Sequence, residues 1–426
     1  MTDRPKTLGR WLRRHSLTLV AALGGAAGVA YAAGWHGKTK PPISNTSDTT
    51  TTTVSVVRHE VQPPPAPVPE PVRDTATDTV QIALILDTSS SMDGLINQAR
   101  SHLWTMVDQM GKLTRVVDGK TRGVKIQLAL YEYGNDTLSG RAGFIRQVQP
   151  FTGDLDKVSE KLHALFTNGG SEFVGQAIQV AATNLQWSSN PDTMKFVFVA
   201  GNEEFDQGPI TASEAMKAAA AKGINVQLIY CGQGGGRDET WASAAKLAKS
   251  DLMSIDQNHV AAYVPAPQDA EILALGNELN TTYLAYGAEG ASSMARQSSA
   301  DAQSAKMSPK VALERMQLKG KKAVYDNRGW DVIDATTNNA KFFEQTPDAQ
   351  LPAELRGKTI EEKKQLVAAR IAKRTELQGK IAKLEAERSA FLKADQAKQH
   401  GAAVNSLETE LMKGTKKIAT AKGYKL

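Results

Sequence analysis

The segment QIALILDTSSSMDG (81–94) places an acid and two hydroxyls, Asp87, Ser89 and Ser91, at alternate positions directly after an aliphatic run. A strand that stops at such a sequence and opens into a helix gathers three oxygen ligands on one tight turn, at the carboxyl edge of an α/β sheet. One carboxylate and two neutral hydroxyls, completed by water and outside ligands, suit an octahedral Mg²⁺ or Mn²⁺. Ca²⁺ recruits more oxygens, and Zn²⁺ asks for His or Cys. An ion held by so few protein charges stays electrophilic and takes a partner's carboxylate as a further ligand, so the site binds without a chemical step. Helix capping is the competing reading, because Asp and Ser before a helix also accept backbone N–H groups. The surrounding elements decide between the two.

Those elements alternate. From Val80 to Tyr286 the strand-like runs QIALIL, VKIQLALYEY, FIRQVQPF, KFVFVA, INVQLIYC and DLMSI are separated by helical segments such as LINQARSHLWTMVDQM, DLDKVSEKLHALF, FVGQAIQVAATNLQ and ITASEAMKAAAAKG. Alternation at this spacing predicts an α/β class, a doubly wound and mostly parallel, Rossmann-like sheet. The ends of its first and fourth strands then share the edge where ligands bind in such folds.

On either side the composition changes. Residues 1–35 begin basic, continue as the apolar run LTLVAALGGAAGVAYAAGW and carry Ala30-Tyr31-Ala32, a small-x-small site. They read as a signal peptide or membrane anchor, with the rest of the chain exported to a periplasmic or other extracytoplasmic face. Residues 36–79, with TTTTT and QPPPAPVPEPV, read as a disordered stalk. Residues 287–357 look like an irregular connection, and 358–426 a basic helical tail. In that tail Ile360, Val367, Ile371, Leu377, Ile381, Leu384 and Phe391 form one apolar stripe, suited to packing on the domain or to self-association as a coiled coil through 358–398.

The formal charge of +6 resides largely at the two ends, so the middle offers no basic nucleic-acid face. The single Cys231 supplies no intrachain disulfide. GQGGGRD (232–238) follows a strand but lacks the Gly-Lys-Ser/Thr ending of a phosphate loop.

With strand, Asp-x-Ser-x-Ser and alternation in place, residues 80–286 resemble a von Willebrand factor type A domain, and wording such as YEYGND and PFTGDLDKVSEKL is similar to a largely uncharacterised group of exported bacterial proteins with that domain. The resemblance implies a metal-ion-dependent adhesion site built from three loops. The first loop matches at Asp87, Ser89 and Ser91. In the second, TNGGSEF offers Ser171 where the family presents Thr, with Glu172 beside it. The third departs: in FVFVAGNEEF, Gly201 stands where the family has Asp, leaving Asn202, Glu203 or Glu204 to supply an oxygen.

Three functions follow as expectations. One is a cell-envelope binding protein that engages the carboxylate of a protein partner through the bound cation. Another is a scaffold that works through the C-terminal helix, its metal site vestigial. The third, a serine hydrolase on Ser89 or Ser91, lacks both a nucleophile-base pattern and G-x-S-x-G.

Overall fold

Every residue of Val80–Asp87 is buried, which an aliphatic strand attains only in the middle of a sheet covered on both faces. The computed structural model describes residues 77–232, 239–256, 258, 263–396 and 407–425. The expected export segment, nearly all of the stalk, the Gly-rich stretch 233–238 and His259 lie outside the described residues. Within them the chain runs β1 (Thr77–Asp87), α1 (Asp93–Gly111), β2 (Arg115–Val117), β3 (Lys120–Tyr133), β4 (Ile145–Thr152), α2 (Leu155–Ala164), α3 (Val174–Asn184), β5 (Met194–Gly201), α4 (Ala212–Ala221), β6 (Asn225–Cys231), α5 (Glu239–Ala248) and β7 (Leu252–Ile255). It continues through α6 (Asp269–Asn280), α7 (Gly290–Met307), α8 (Pro309–Lys319), α9 (Val332–Asn338), α10 (Phe342–Gln345), α11 (Ile360–Gln396) and α12 (Leu407–Ala421).

The strands join in the order β2-β3-β1-β5-β6-β7, with β4 on the outer edge of β3. β3, β1, β5, β6 and β7 are parallel, and β2 and β4 run antiparallel to opposite ends of β3. β1 therefore has β3 on one side and β5 on the other, so the chain's winding reverses at its carboxyl end. Open α/β sheets hold ligands at such a reversal. The period of two sorts the strand side chains. Ile82, Leu84, Leu86 and Leu128 pack under α1 and α2, while Ala83, Ile85, Ala129, Tyr131 and Tyr133 pack under α3, α4 and α5.

One expectation about the chain after the sheet is corrected, and one of two open readings of the tail is met. The stretch 287–357, read as irregular, contains α7, α8, α9 and α10. Its polarity concealed a buried face made of Ser293, Gln297, Ala300 and Ser304, hydrogen-bonded inward: Trp104 Nε1 donates to Ser304 Oγ (2.9 Å) and Gln297 Nε2 to Tyr325 Oη (3.1 Å). The stripe of α11 is also not purely apolar. Val367, Leu377 and Ile381 are buried, but so are Lys363 and Arg374, whereas Ile360 and Phe391 are exposed. Arg374 pairs with Asp331 (2.6 Å) and Asp334 (2.9 Å), tying α11 to α9. The stripe thus packs within its own chain. The expected linker boundary also moves, because β1 already begins at Thr77. Among the described residues no helix is long and apolar enough to cross a membrane.

Candidate metal site at the head of β1

Asp87 is the last residue of β1, and the five residues after it make the turn into α1. Its Oδ1 accepts the Ser89 backbone N–H at 2.7 Å, which closes the turn. Asp87 closes the turn but does not cap α1, whose N-cap is Met92 without a side-chain bond: one carboxylate oxygen organises the backbone, and the other is left over. Ser89 Oγ and Ser91 Oγ lie 3.4 Å apart. Ser89 is buried and Ser91 exposed, so the hydroxyls step from the interior to the surface.

The second loop is joined to the first along its backbone. Ser90 N–H donates to Gly169 O (3.0 Å), Gly169 N–H to Ser90 Oγ (3.0 Å), and Asn168 N–H to Thr88 O (2.9 Å). Gly169 has φ of +79°, and a Cβ there would come 2.1 Å from Asp136 Cγ, so this position excludes a side chain. The loop delivers Glu172, 2% exposed, against Asp87. Ser171 beside it is half-buried, and its hydroxyl makes no hydrogen bond to a described residue.

Two buried carboxyl groups facing each other cannot both ionise without a cation. Burial, and then the charge of Asp87, push Glu172 up to about 9. Burial also raises Asp87, to about 6, against hydrogen bonds from Glu172 and Ser89 that favour its ionised form. Without a cation, the proton therefore sits on Glu172. Beyond the proton the two acids share, Asp87 Oδ2 and Glu172 Oε2 are buried with no donor from another described residue, and Asn202 Oδ1 is buried without a partner among the described residues. Orphaned buried acceptors of this kind are costly unless something from outside completes them. With the hydroxyls of Ser89 and Ser91, this all-oxygen set fits a hard divalent cation.

The third loop explains its own departure. Gly201 ends β5 directly beneath the site, and a Cβ there would lie 2.1 Å from Tyr133 Oη and 3.3 Å from Asp87 Oδ2. Tyr133, fully buried on β3, fills that space and donates to Ala200 O (3.1 Å). No acid fits at position 201 while Tyr133 is there. The second carboxylate instead arrives from the second loop, as Glu172. Of the third-loop candidates, Asn202 reaches the site, its Nδ2 donating to Ser91 Oγ (3.1 Å). The Glu203 side chain is exposed, near enough to raise both buried carboxyls by its charge. Glu204 is exposed as well.

Residue spacing alone missed Tyr133 and Gly134. A Cβ on Gly134 (φ +80°) would lie 2.8 Å from Asp87 Oδ1 and 2.9 Å from Glu172 Cγ, so this glycine is what lets the two acids meet. A glycine where an acid is expected signals that something bulky fills the gap, but not which residue. Two histidines are engaged elsewhere, His102 with Glu408 (3.0 Å) and His163 with Ser159 O (2.9 Å).

Residues 81–260 match the family model described as von Willebrand factor type A domain. No curated protein matches the chain. Similar solved structures include proximal thread matrix protein 1 from the mussel byssus with a zinc-occupied MIDAS motif (12% identity, 42% of each chain, TM-score 0.32). They also include an aerotolerance-related membrane protein from Bacteroides fragilis NCTC 9343 (17% identity, 42% of this chain and 93% of that one, TM-score 0.30). A third is the SpRpn10 VWA domain (16% identity, 44% of this chain and 100% of that one, TM-score 0.29). The aligned part spans 42% of the mussel protein's length.

Proposed function

Residues 81–260 being a von Willebrand factor type A domain, a fold used for protein interaction, we propose that this chain captures a protein partner through a divalent cation at the head of β1. Asp87, Ser89, Ser91 and Glu172 would hold Mg²⁺ or Mn²⁺, with Ser171 and Asn202 at its margin and Glu203 adding charge from the rim. When bound, the cation supplies an electrophilic position for the partner's carboxylate. The observation that carries this reading is the buried acid pair Asp87 and Glu172, whose Oδ2 and Oε2 receive no hydrogen bond from any other described residue. A site that had lost its role would gain by exchanging such a pair for apolar side chains.

The chain's own residues do the remaining work. The backbone bonds between the first two loops fix Ser89, Ser91 and Glu172 relative to Asp87 before any ligand arrives, so little ordering is left for binding. Display outside the cytoplasm, by way of residues 1–35 and the stalk, is part of the proposal. So is the absence of a chemical step.

Calorimetric titration of Mg²⁺, Mn²⁺ and Ca²⁺ into the full-length chain tests the reading. Mg²⁺ or Mn²⁺ should give heat with wild type and none with Asp87→Ala. If wild type gives no heat with any of the three ions, the reading fails and the scaffold function remains.

A further inference from the structure

We infer that the partner's carboxylate lies between basic side chains: the ligand is a segment in which an Asp or Glu is flanked by Lys or Arg. The inference rests on the metal-assisted capture just proposed and names the partner's chemistry. Around the buried pair stands a ring of exposed acids, Asp93, Asp136, Glu203, Glu204 and Asp206. Among the described residues of these loops, Arg141 is the exposed base.

Each acid is placed by the fold. Asp93 opens α1 and accepts the Thr167 hydroxyl at 2.6 Å. Asp136 accepts the Gly170 backbone N–H at 3.4 Å. Glu204 and Asp206 flank Phe205, whose ring is fully buried edge-on against Trp241 at 5.4 Å, while both acids are exposed. Trp241 Nε1 donates to Glu203 O (2.6 Å), and Phe205 N–H to Thr240 Oγ1 (2.8 Å), so this acidic loop is anchored on α5.

Charge decides what can approach. One divalent cation balances Asp87 and Glu172 and leaves the ring uncompensated. A lone carboxylate bound for the ion must cross that ring, while one flanked by cations is drawn in. The ring borders buried carboxylate oxygens that no described residue outside the acid pair reaches with a donor, so it borders a binding position and is more than a solvated face. Phe166 adds an apolar contact: the residue is 56% exposed while its carbonyl accepts from Asn135 Nδ2 at 2.9 Å. The stems of Lys or Arg cover such a ring while their charged heads reach the acids.

The experiment uses labelled peptides with the full-length chain, read by fluorescence anisotropy in Mn²⁺ at low salt. The peptides are Lys-Lys-Asp-Lys-Lys, Gly-Gly-Asp-Gly-Gly, Glu-Glu-Asp-Glu-Glu and Lys-Lys-Ala-Lys-Lys. The base-flanked aspartate should bind about tenfold tighter than the glycine-flanked one, a gap that closes as salt shortens the screening length. The acid-flanked peptide should be the weakest of the aspartates. The Glu204→Gln, Asp206→Asn double variant should narrow the gap while keeping the calorimetric heat of Mn²⁺ binding.

Equal affinity of base-flanked and glycine-flanked aspartate peptides at low salt overturns this inference and leaves metal-assisted capture standing. If Lys-Lys-Ala-Lys-Lys binds as tightly as its aspartate counterpart, with or without Mn²⁺, the capture reading falls and this inference with it. The same holds if neither the base-flanked nor the glycine-flanked aspartate peptide shows metal-dependent binding.

Discussion

Two of the regions of this molecule that bury carboxylates do so under opposite conditions. Beneath α7 and α8, Asp156 and Asp301 meet Arg315, fully buried, at 2.7 and 2.8 Å, and Lys319 adds a contact to Asp301 at 2.6 Å. Tyr325 donates to Asp156 at 2.6 Å, and the Arg315 guanidinium lies over Trp104, 4.4 Å from the ring centroid. At the head of β1, Asp87 and Glu172 are equally buried, but among the described residues no cationic side chain pairs with either. Where the chain supplies its own cation the acids belong to the architecture. Where the described residues supply none, the proposed function has the cation come from solution.

Breaking the internal network should have the largest effect. Arg315→Ala strands Asp156 and Asp301 without their main counter-charge and should cost about 3–5 kcal/mol by urea denaturation, because an unpaired buried charge is left behind. A cost below about 1 kcal/mol would mean that water reaches these acids and that the contrast with the site is false.

The next largest effect separates the other region. Saturating Mg²⁺ should stabilise wild type by about 2.7 kcal/mol at a hundredfold excess over its Kd, and Glu172→Gln should lose most of that gain. The same variant tests the pH dependence. Both site carboxyls titrate higher in the folded protein than in the unfolded chain, so the metal-free fold binds protons that the unfolded chain releases. Its stability should therefore decline as pH rises from about 4.5 and continue to fall until Glu172 ionises, near 9. Excess Mg²⁺ or Glu172→Gln should flatten that decline in a pH series of melting curves. An equally steep decline in Glu172→Gln would place the titrating group elsewhere.

A smaller effect tests why the second acid comes from the second loop. Gly201→Ala presses a methyl against Tyr133 Oη and should cost about 1–3 kcal/mol. Adding Tyr133→Phe removes the opposing oxygen and should recover part of the loss, so a double-mutant cycle that shows no coupling would refute the contact. The smallest effect is expected on the outer face of α11. Phe391→Ser should change stability by less than about 0.5 kcal/mol, whereas Leu377→Ala on the buried face should cost about 2–5 kcal/mol. A loss of dimer on sedimentation with Phe391→Ser would instead revive self-association through this helix.

Much of this was legible along the chain. Asp87, Ser89 and Ser91 fall within five consecutive residues, so strand, turn and candidate ligand set are read from one local segment, and the strand alternation led to the sheet. The helices of 287–357 were not legible, since hydrophobic periodicity cannot register a face that buries Ser293, Gln297 and Ser304 through hydrogen bonds. The α11 stripe was half legible. Its apolar members stood out, but Lys363 and Arg374 look like solvated positions until Asp348, Asp331 and Asp334 are placed opposite them.

What the sequence determined by itself was the first loop and the kind of sheet that would carry it, because both depend on neighbours in the chain. Only the tertiary structure decided where the second carboxylate comes from. Tyr133 at the end of β3 fills the space above Gly201 at the end of β5, and Gly134 opens the gap through which Glu172 reaches Asp87. Tyr133 and Gly134 are neighbours, but Asp87, Glu172 and Gly201 are far from them in the chain, and steric exclusion between these positions exists only once parallel strands stand side by side.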